Sequence, residues 1–311
     1  MISKKGIFII TLLGVLLISF ACIPKASYKN SSYELRVLSF NIWMGGGSSI
    51  EKTVEVIVKS GADIVGIQEA TRKGSNTATA IADSLGWYSH VSNSSATIIS
   101  KFPIVDTSKS KKGVKIETGE GKFVWIFNVH LSYCPYQPYQ LSGIEYCGAP
   151  ILSTASEAIE SAWQARGDEV TLLINEIKEA QKDNWPVFVT GDFNEPSWLD
   201  WTDNAVKENL CQMKVEWPVT KNLQLEADMR DSYRSFYPDE VKNPGHTWTT
   251  LPETENYEEV HDRIDFVLYW GENISVSQSQ VIGKSAKFSD IVIENYPSDH
   301  RAVLSTFSIS E

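Results

Sequence analysis

The sequence predicts one α/β domain in which short apolar strands lie under helices, and three observations carry that prediction. Short runs rich in Val, Ile and Phe alternate along the chain with stretches whose apolar residues recur at helical spacing. Several of the short runs are apolar at consecutive positions, as in Pro186–Gly191, the pattern of strands covered on both faces. At 311 residues and 42% hydrophobic content there is ample material for a core, and no repeat, low-complexity tract or long linker follows Ser32.

In chain order the first element is a leader. Lys4 and Lys5 precede an almost unbroken apolar run from Ile7 to Ala21, the pattern of a secretory signal over residues 1–21. The competing reading is a membrane anchor, but the run is shorter than a span usually requires. Either way the rest of the chain lies outside the cytoplasm. Ala21-Cys22 resembles the cleavage site of bacterial lipoproteins, where a lipid joins the cysteine thiol, although Ser19 and Phe20 depart from the usual Leu-small pair. The expectation is an exported protein, either a periplasmic or cell-surface lipoprotein held by Cys22 or a secreted one. Residues 22–33 read as a polar tether, and 34–311 as the folded domain.

Leu35 to Asn41 alternates and is β-rich. Ile50, Val54, Ile57 and Val58 recur at helical spacing within Ser49–Ser60, and Gly61 is a good stop. Asp63–Gln68 reads as a second strand and Ala78–Leu85 as a second helix. Ala96–Ser100 and Lys122–His130 read as strands on either side of a turn region, where Lys109, Lys111, Lys112 and Lys115 suggest a solvated hairpin tip. Leu131–Pro150 is an irregular insertion rich in Tyr, Pro and Gly. The helix expected over Ser153–Lys182 should break near Gly167. Pro186–Gly191, Ile264–Trp270, Ile274–Ile282 and Ala302–Ile309 complete the strands.

The formal charge is −11, from 28 Lys+Arg against 39 Asp+Glu. Such a surface does not draw polyphosphate backbones over long range, which disfavours a dedicated duplex binder unless a basic or metal-filled cleft overrides the global sign. Cleavage ahead of Cys22 removes Lys4 and Lys5 and takes the charge from −11 to −13, adding weight to a bound cation. Beyond Cys22 the cysteines are Cys134, Cys147 and Cys211. In an oxidising compartment the first two can bridge a short loop or stand as two thiols. No zinc-finger spacing of Cys and His is present.

Polar residues gather at the ends of these strands: Asn41, Glu69, His130, Asp192 with Asn194, Asp262 and Asp265, and Asp299-His300. A strand end is a rigid support at a sheet rim, where converging side chains can hold a ligand. Taken singly, each has a plainer reading: Asn41 or Asn194 as a turn cap, Glu69 as a helix-start carboxylate, His130 as a core histidine, Asp299 as a turn residue. The set is harder to explain that way.

Six ordered segments carry a resemblance: Leu38–Trp43, Gly66–Glu69, Asn128–Leu131, Gly191–Asn194, Asp262–Phe266 and Ser298–His300. From about Glu34 to Ser310 the chain resembles the endonuclease/exonuclease/phosphatase superfamily, which includes secreted DNases, abasic endonucleases, neutral sphingomyelinases, inositol-polyphosphate phosphatases and deadenylases. The resemblance implies a DNase I-like four-layer α/β sandwich, two packed mixed sheets flanked by helices, with the site at one rim. It also implies a Mg²⁺-dependent phosphoester hydrolase, Mn²⁺ being the alternative ion. Glu69 would be the principal metal ligand, with Asn41 beside it and Asp299 in support. His300 would be the general base oriented by Asp265, Asp192 and Asn194 would position water and phosphate, and His130 would donate to a phosphate oxygen. Phosphate ester cleavage needs these parts: charge neutralisation, a placed water and a stabilised leaving oxygen.

The abasic endonucleases of that superfamily carry an acidic residue two positions after the motif asparagine, where this chain has Trp43. Trp43 is either packing or a rim residue at the substrate. Gly245–Trp248 resembles a family loop near the site, which makes His246 a candidate rim contact; His90 and His261 receive no role. Tyr133 and the aromatic residues after it follow His130 directly, so their rings either meet substrate or pack on one another. Trp198 and Trp201 invite the same two readings. The expected partner is a phosphoester: a lipid headgroup, a sugar or inositol phosphate, or nucleic acid, with the last ranked below the others because of the acidic surface. Membrane contact is expected only through the N-terminal lipid or signal, and the protein is expected to be a monomer. A non-catalytic surface-binding module would be a different class, but it predicts decay of residues that are all present, namely Glu69, Asp192, Asp265 and His300.

Overall fold

The computed structural model describes residues 32–310 apart from 48, 73, 93–94 and 252–258. The leader over 1–21, Cys22 and the tether as far as residue 31 therefore lie outside the described residues. The chain opens with β1 (Ser32–Asn41), α1 (Trp43–Gly46), α2 (Ile50–Ser60), β2 (Ile64–Gln68), β3 (Thr71–Arg72), β4 (Ser75–Asn76), α3 (Thr77–Leu85), β5 (Tyr88–Val91) and β6 (Thr97–Ser100). It continues through β7 (Ile104–Thr107), β8 (Gly113–Gly119), β9 (Lys122–His130), α4 (Gln137–Leu141), α5 (Ala155–Gln181) and β10 (Val187–Asp192). The last third holds α6 (Asp203–Lys207), α7 (Pro218–Ala227), β11 (Arg230–Asp231), α8 (Ser232–Phe236), β12 (Asp265–Trp270), β13 (Ile274–Gly283), β14 (Ile291–Val292) and β15 (Ala302–Ser310).

β1 starts ahead of the expected boundary at Glu34, because Ser32 and Tyr33 extend its antiparallel ladder to Ser310 and Ile309 of β15. Two mixed sheets result, in the orders β14-β13-β15-β1-β2-β6-β5 and β11-β12-β10-β9-β8-β7. Side chains alternate across each strand, so one strand feeds two cores. In β1, Leu35 and Val37 enter the layer between the sheets, with Ile126 and Phe188 from the other sheet, while Leu38 and Phe40 face α2 and α3. In β9, Trp125, Phe127 and Val129 face α5 and α7. The order helix, sheet, sheet, helix is the four-layer α/β sandwich.

The helices follow local signals. Ser49 caps α2 by accepting from Lys52 N at 3.2 Å, and Gly61 closes it at φ 69°. Thr154 and Glu157 form a capping box at the start of α5. The break expected near Gly167 does not occur, and α5 runs unbroken through it. That glycine is there for packing: a Cβ would come within 2.7 Å of the Trp163 ring. The lysine-rich segment is a hairpin tip between β7 and β8, as expected, except that Lys115 lies within β8 and pairs with Asp183 at 2.7 Å. Among the described residues no helix is long and apolar enough to cross a membrane.

The sheets close most tightly just below the rim. The Gln68 amide donates to Asn128 Oδ1 at 2.6 Å, Thr190 Oγ1 donates to the same oxygen at 3.1 Å, and Gly191 N donates to Ser39 Oγ at 3.0 Å. Gly66 sits against this polar layer, where a Cβ would meet Thr190 Oγ1 at 1.9 Å. Gly66→Ala is therefore expected to destabilise the fold by about 1–3 kcal/mol or more, read as a lowered denaturation midpoint. An unchanged midpoint would show that the sheets can part at this point.

Candidate active site

Strand register brings the polar ends together. β1 and β2 run parallel, pairing Asn41 with Gln68, and β9 and β10 run parallel, pairing His130 with Asp192. β12 is antiparallel to β10, so its first residue, Asp265, stands opposite the last of β10, Asp192. β15 is antiparallel to β1, so Asp299 and His300, just before it, return to the same rim as Asn41. The ends of six strands from two sheets thus meet at one edge.

Asn41 stands at the centre. Its Nδ2 donates to Asp192 Oδ2 at 2.9 Å and to Glu69 Oε1 at 3.2 Å, while its Oδ1 accepts from Trp43 N at 3.0 Å. The backbone N–H fixes which end of the amide faces the carboxylates. Asn41 therefore bridges two acids here and does not point an oxygen into the cleft as a metal ligand would. Glu69 Oε2 accepts from Met44 N at 2.7 Å. The backbone around these contacts is strained, with positive φ at Trp43, Met44, Glu69 and Asn194, as happens where a surrounding structure holds a site in place.

His300 Nδ1 and Asp265 Oδ2 lie 2.9 Å apart, and Nε2 is 3.7 Å from Asp192 Oδ2. Burial alone would depress the His300 pKa, but the charges of Asp265 and then Asp192 outweigh it and raise it to about 10. Asp299 is pushed up to about 6, first by burial and then by the charges of Glu69 and Asp192 against the opposing pull of His300. His130 Nε2 lies 3.5 Å from Asp192 Oδ2, with Ser95 Oγ 3.5 Å from its Nδ1. Asn194 N donates to Asp192 Oδ1 at 2.9 Å. The rim therefore holds Asn41, Glu69, His130, Asp192, Asn194, Asp265, Asp299 and His300 together.

Three buried carboxylates, Asp192, Asp265 and Asp299, with half-buried Glu69 beside them, form a donor set suited to a hard divalent cation. One atom from each of Asp192, Asp265 and His300 lies within 4.8 Å of the others. Among the described residues this is the group whose ligand atoms come together closely enough to hold an ion, with Glu69 and Asp299 further along the same rim.

Other expected contacts lie elsewhere. His246 turns away from the rim: its ring stacks at 6.2 Å on His261 and lines a separate cavity with Cys211 and Trp201. Burial, reinforced by His261, lowers its pKa to about 4. The residues of that loop that reach the site are Thr247, whose Oγ1 accepts from Ile264 N and Asp265 N at 3.0 and 3.1 Å, and Trp248, whose ring is 4.9 Å from that of His300. Ser298 ties Asn41 O to His300 N through its hydroxyl, at 2.6 and 3.1 Å. Sequence reasoning found the loop and picked the wrong side chain, because a threonine that holds backbone carries no chemical signature. Trp201 packs in the interior and donates to Asp262 at 2.8 Å, while Trp198 is half-buried against the same cluster with Lys221 over its ring. Trp43 is half-buried in the turn after β1, and Tyr133 is exposed at the mouth of the insertion.

The insertion is ordered by two devices. Cys134 and Cys147 are joined. Buried Arg166 donates to Ser132 O, Gln137 Oε1 and Pro135 O at 2.9, 2.8 and 2.9 Å. Its neighbour Glu195, 3.5 Å away, is wholly buried and, by burial opposed by Arg166, has its pKa raised to about 7. Between the unfolded value of about 4.5 and about 7, the folded chain then holds a proton that the unfolded chain has lost, so stability falls as pH rises through that window. Glu195→Gln is expected to flatten the melting temperature across pH 5–7. A slope identical to that of the parent would show that Glu195 is ionised throughout.

A sandwich with this rim defines a class, the metal-dependent hydrolases of phosphate ester bonds. The chain belongs to the endonuclease/exonuclease/phosphatase family, which residues 38–300 match. Over 96% of its length it is 29% identical to the uncharacterized protein F14F9.5 of Caenorhabditis elegans, covering 99% of that protein. It superposes on an endonuclease/exonuclease/phosphatase from Beutenbergia cavernae with a TM-score of 0.55 at 16% identity, over 89% of this chain and 72% of that one. D. rerio TDP2, solved with a single-strand DNA product, gives 0.55 at 16% identity, over 88% and 98%. At these identities the solved structures establish the fold.

Proposed function

We propose that the protein is an exported, Mg²⁺-dependent phosphoester hydrolase in which water attacks phosphorus in line, assisted by the His300–Asp265 pair. The observation that carries this reading is the 2.9 Å contact between His300 Nδ1 and Asp265, which leaves Nε2 as the proton-transfer atom facing the carboxylate rim. Asp265 holds the ring in orientation, and Thr247 holds Asp265. Asp192 and Asn194 place water and phosphate, and His130 Nε2 donates to a phosphate oxygen. Glu69 and Asp299 would hold the Mg²⁺, or Mn²⁺ in its place, with Asn41 keeping Glu69 and Asp192 in register. When bound, the ion supplies positive charge to a non-bridging phosphate oxygen and to the departing one. Of the charges that raise the His300 pKa, those of Asp192 and Asp299 are ones such a cation would offset, while Asp265 stays paired with the ring.

The substrate is a lipid-headgroup or small-molecule phosphoester. The formal charge of −11 favours neither a duplex nor a long single strand, while the DNA product bound to D. rerio TDP2 keeps a nuclease as the alternative. The test is a panel of bis-p-nitrophenyl phosphate, p-nitrophenyl phosphate, sphingomyelin and plasmid DNA, each with Mg²⁺ and with EDTA. Mg²⁺-dependent turnover of a diester supports the reading, activity that survives EDTA contradicts it, and a silent panel points to a binding module. Mass spectrometry of the mature N-terminus tests export, with a lipid on Cys22 expected and an intact Met1 excluding cleavage.

A further inference from the structure

We infer that the tyrosine-lined cavity beside Asn194 is a subsite for a quaternary ammonium group, which makes phosphoesters of choline-like amino alcohols the substrate class. This rests on the hydrolase reading above. The cavity, of about 300 Å³, is lined by Tyr133, Tyr136, Tyr139, Tyr146, Trp248 and Glu259. It adjoins the reacting rim, because Asn194 also lines it and the Trp248 ring packs 4.9 Å from the His300 ring. A group seated there belongs to a molecule whose phosphate lies at the rim.

Ring geometry selects the ligand. Tyr136 and Tyr139 meet at 4.8 Å and 88°, Tyr139 and Tyr146 at 5.4 Å and 89°, and Tyr133 and Tyr146 at 6.5 Å and 64°. Adjacent rings meet edge to face, so the tyrosines pack on one another and together form an angular aromatic wall to the cavity. A nucleobase needs a flat stacking platform, whereas a tetrahedral cation is stabilised by ring faces approaching from several directions. The hydroxyls of the two inner rings are engaged by protein, Tyr136 OH donating to Asp262 Oδ2 at 2.7 Å and Tyr139 OH to Glu259 Oε1 at 2.5 Å.

Glu259 supplies the matching charge. Its Oε1 accepts from Tyr139 OH, from Trp248 Nε1 at 3.2 Å and from Val260 N at 2.9 Å, all neutral donors. The carboxylate is thus held in place with its charge uncancelled by these contacts. A methylated ammonium brings charge without needing a hydrogen bond. The Cys134–Cys147 link and Arg166 hold the walls before a ligand arrives, which lowers the ordering cost of binding.

The test compares p-nitrophenyl phosphorylcholine with its uncharged carbon isostere, p-nitrophenyl 3,3-dimethylbutyl phosphate, using the purified protein with Mg²⁺. The kcat/KM ratio is expected to favour the choline ester by about tenfold or more, and Glu259→Gln and Tyr146→Leu should each bring the ratio towards one. A parent ratio near one overturns the subsite and leaves the hydrolase reading intact. If neither ester turns over, the panel above decides the hydrolase reading, and calorimetric titration with tetramethylammonium decides the subsite by itself. Saturable binding that Glu259→Gln abolishes supports it, and no binding overturns it. Sphingomyelin vesicles and soluble glycerophosphocholine separate the two sources of the group. Turnover confined to vesicles assigns a lipid headgroup, turnover of the soluble ester assigns a free phosphodiester, and inertness of both overturns the assignment of substrate class.

Discussion

Replacing His300 with alanine is expected to lower kcat on bis-p-nitrophenyl phosphate by about 10²–10⁴-fold, the usual contribution of a positioned acid–base group. The imidazole is the group that joins Asp265 to the reacting edge, and its loss leaves the buried Asp265 carboxylate without its counter-charge. A stability loss should accompany the kinetic one, so the measurement includes a denaturation midpoint. Asp265→Asn separates the two effects: it preserves shape, removes the charge that holds the ring protonated, and should reduce kcat with a smaller change in midpoint. The double variant is expected to be little worse than His300→Ala, because the pair acts as a unit. Wild-type turnover in folded His300→Ala would remove the histidine from the mechanism.

Glu69→Gln is expected to lower activity about 10²–10³-fold at a fixed Mg²⁺ concentration and to raise the Mg²⁺ concentration needed for half-maximal rate. Glutamine keeps an oxygen that can accept from Met44 N, so the turn after β1 should persist while the charge is lost. Asp299 and Asp192 remain to hold the ion weakly, and a shifted Mg²⁺ dependence is therefore expected ahead of its complete loss. An unchanged Mg²⁺ response with reduced kcat would assign Glu69 to substrate positioning and move the metal towards Asp192, Asp265 and His300, whose ligand atoms lie within 4.8 Å of one another.

Much of the fold was legible because its strands are apolar on consecutive or alternate positions and its helices carry their own caps. Lys122–His130 is bounded as periodicity predicts, and Ser49, Gly61 and Thr154 mark helix ends by side-chain and backbone chemistry that acts within a few residues. The failures were long-range. Gly167 reads as a helix breaker locally, yet Trp163 packs over it and the helix continues. β7 and β8 fall in the stretch read as a turn region, because the alternation of Val114 and Ile116 with Lys115 and Glu117 is short and it is β9 that supplies the next partner in the sheet.

The same division holds at the site. The resemblance carried by six ordered segments implied phosphoester hydrolysis; by itself the sequence determined which chemical groups are available, the carboxylates, amides and histidines at the strand ends of an acidic chain. Those are properties of residues and of their spacing along single strands. Tertiary structure decided orientation. It turned the nitrogen of Asn41 towards Glu69 and Asp192, sent His246 to a neighbouring cavity, put Thr247 behind Asp265, and folded the tyrosines of the insertion into an angular aromatic wall of the cavity that Glu259 also lines. The physical reason is that side-chain direction depends on partners brought from distant parts of the chain, such as Asp262 for Tyr136 and Arg166 for the insertion backbone.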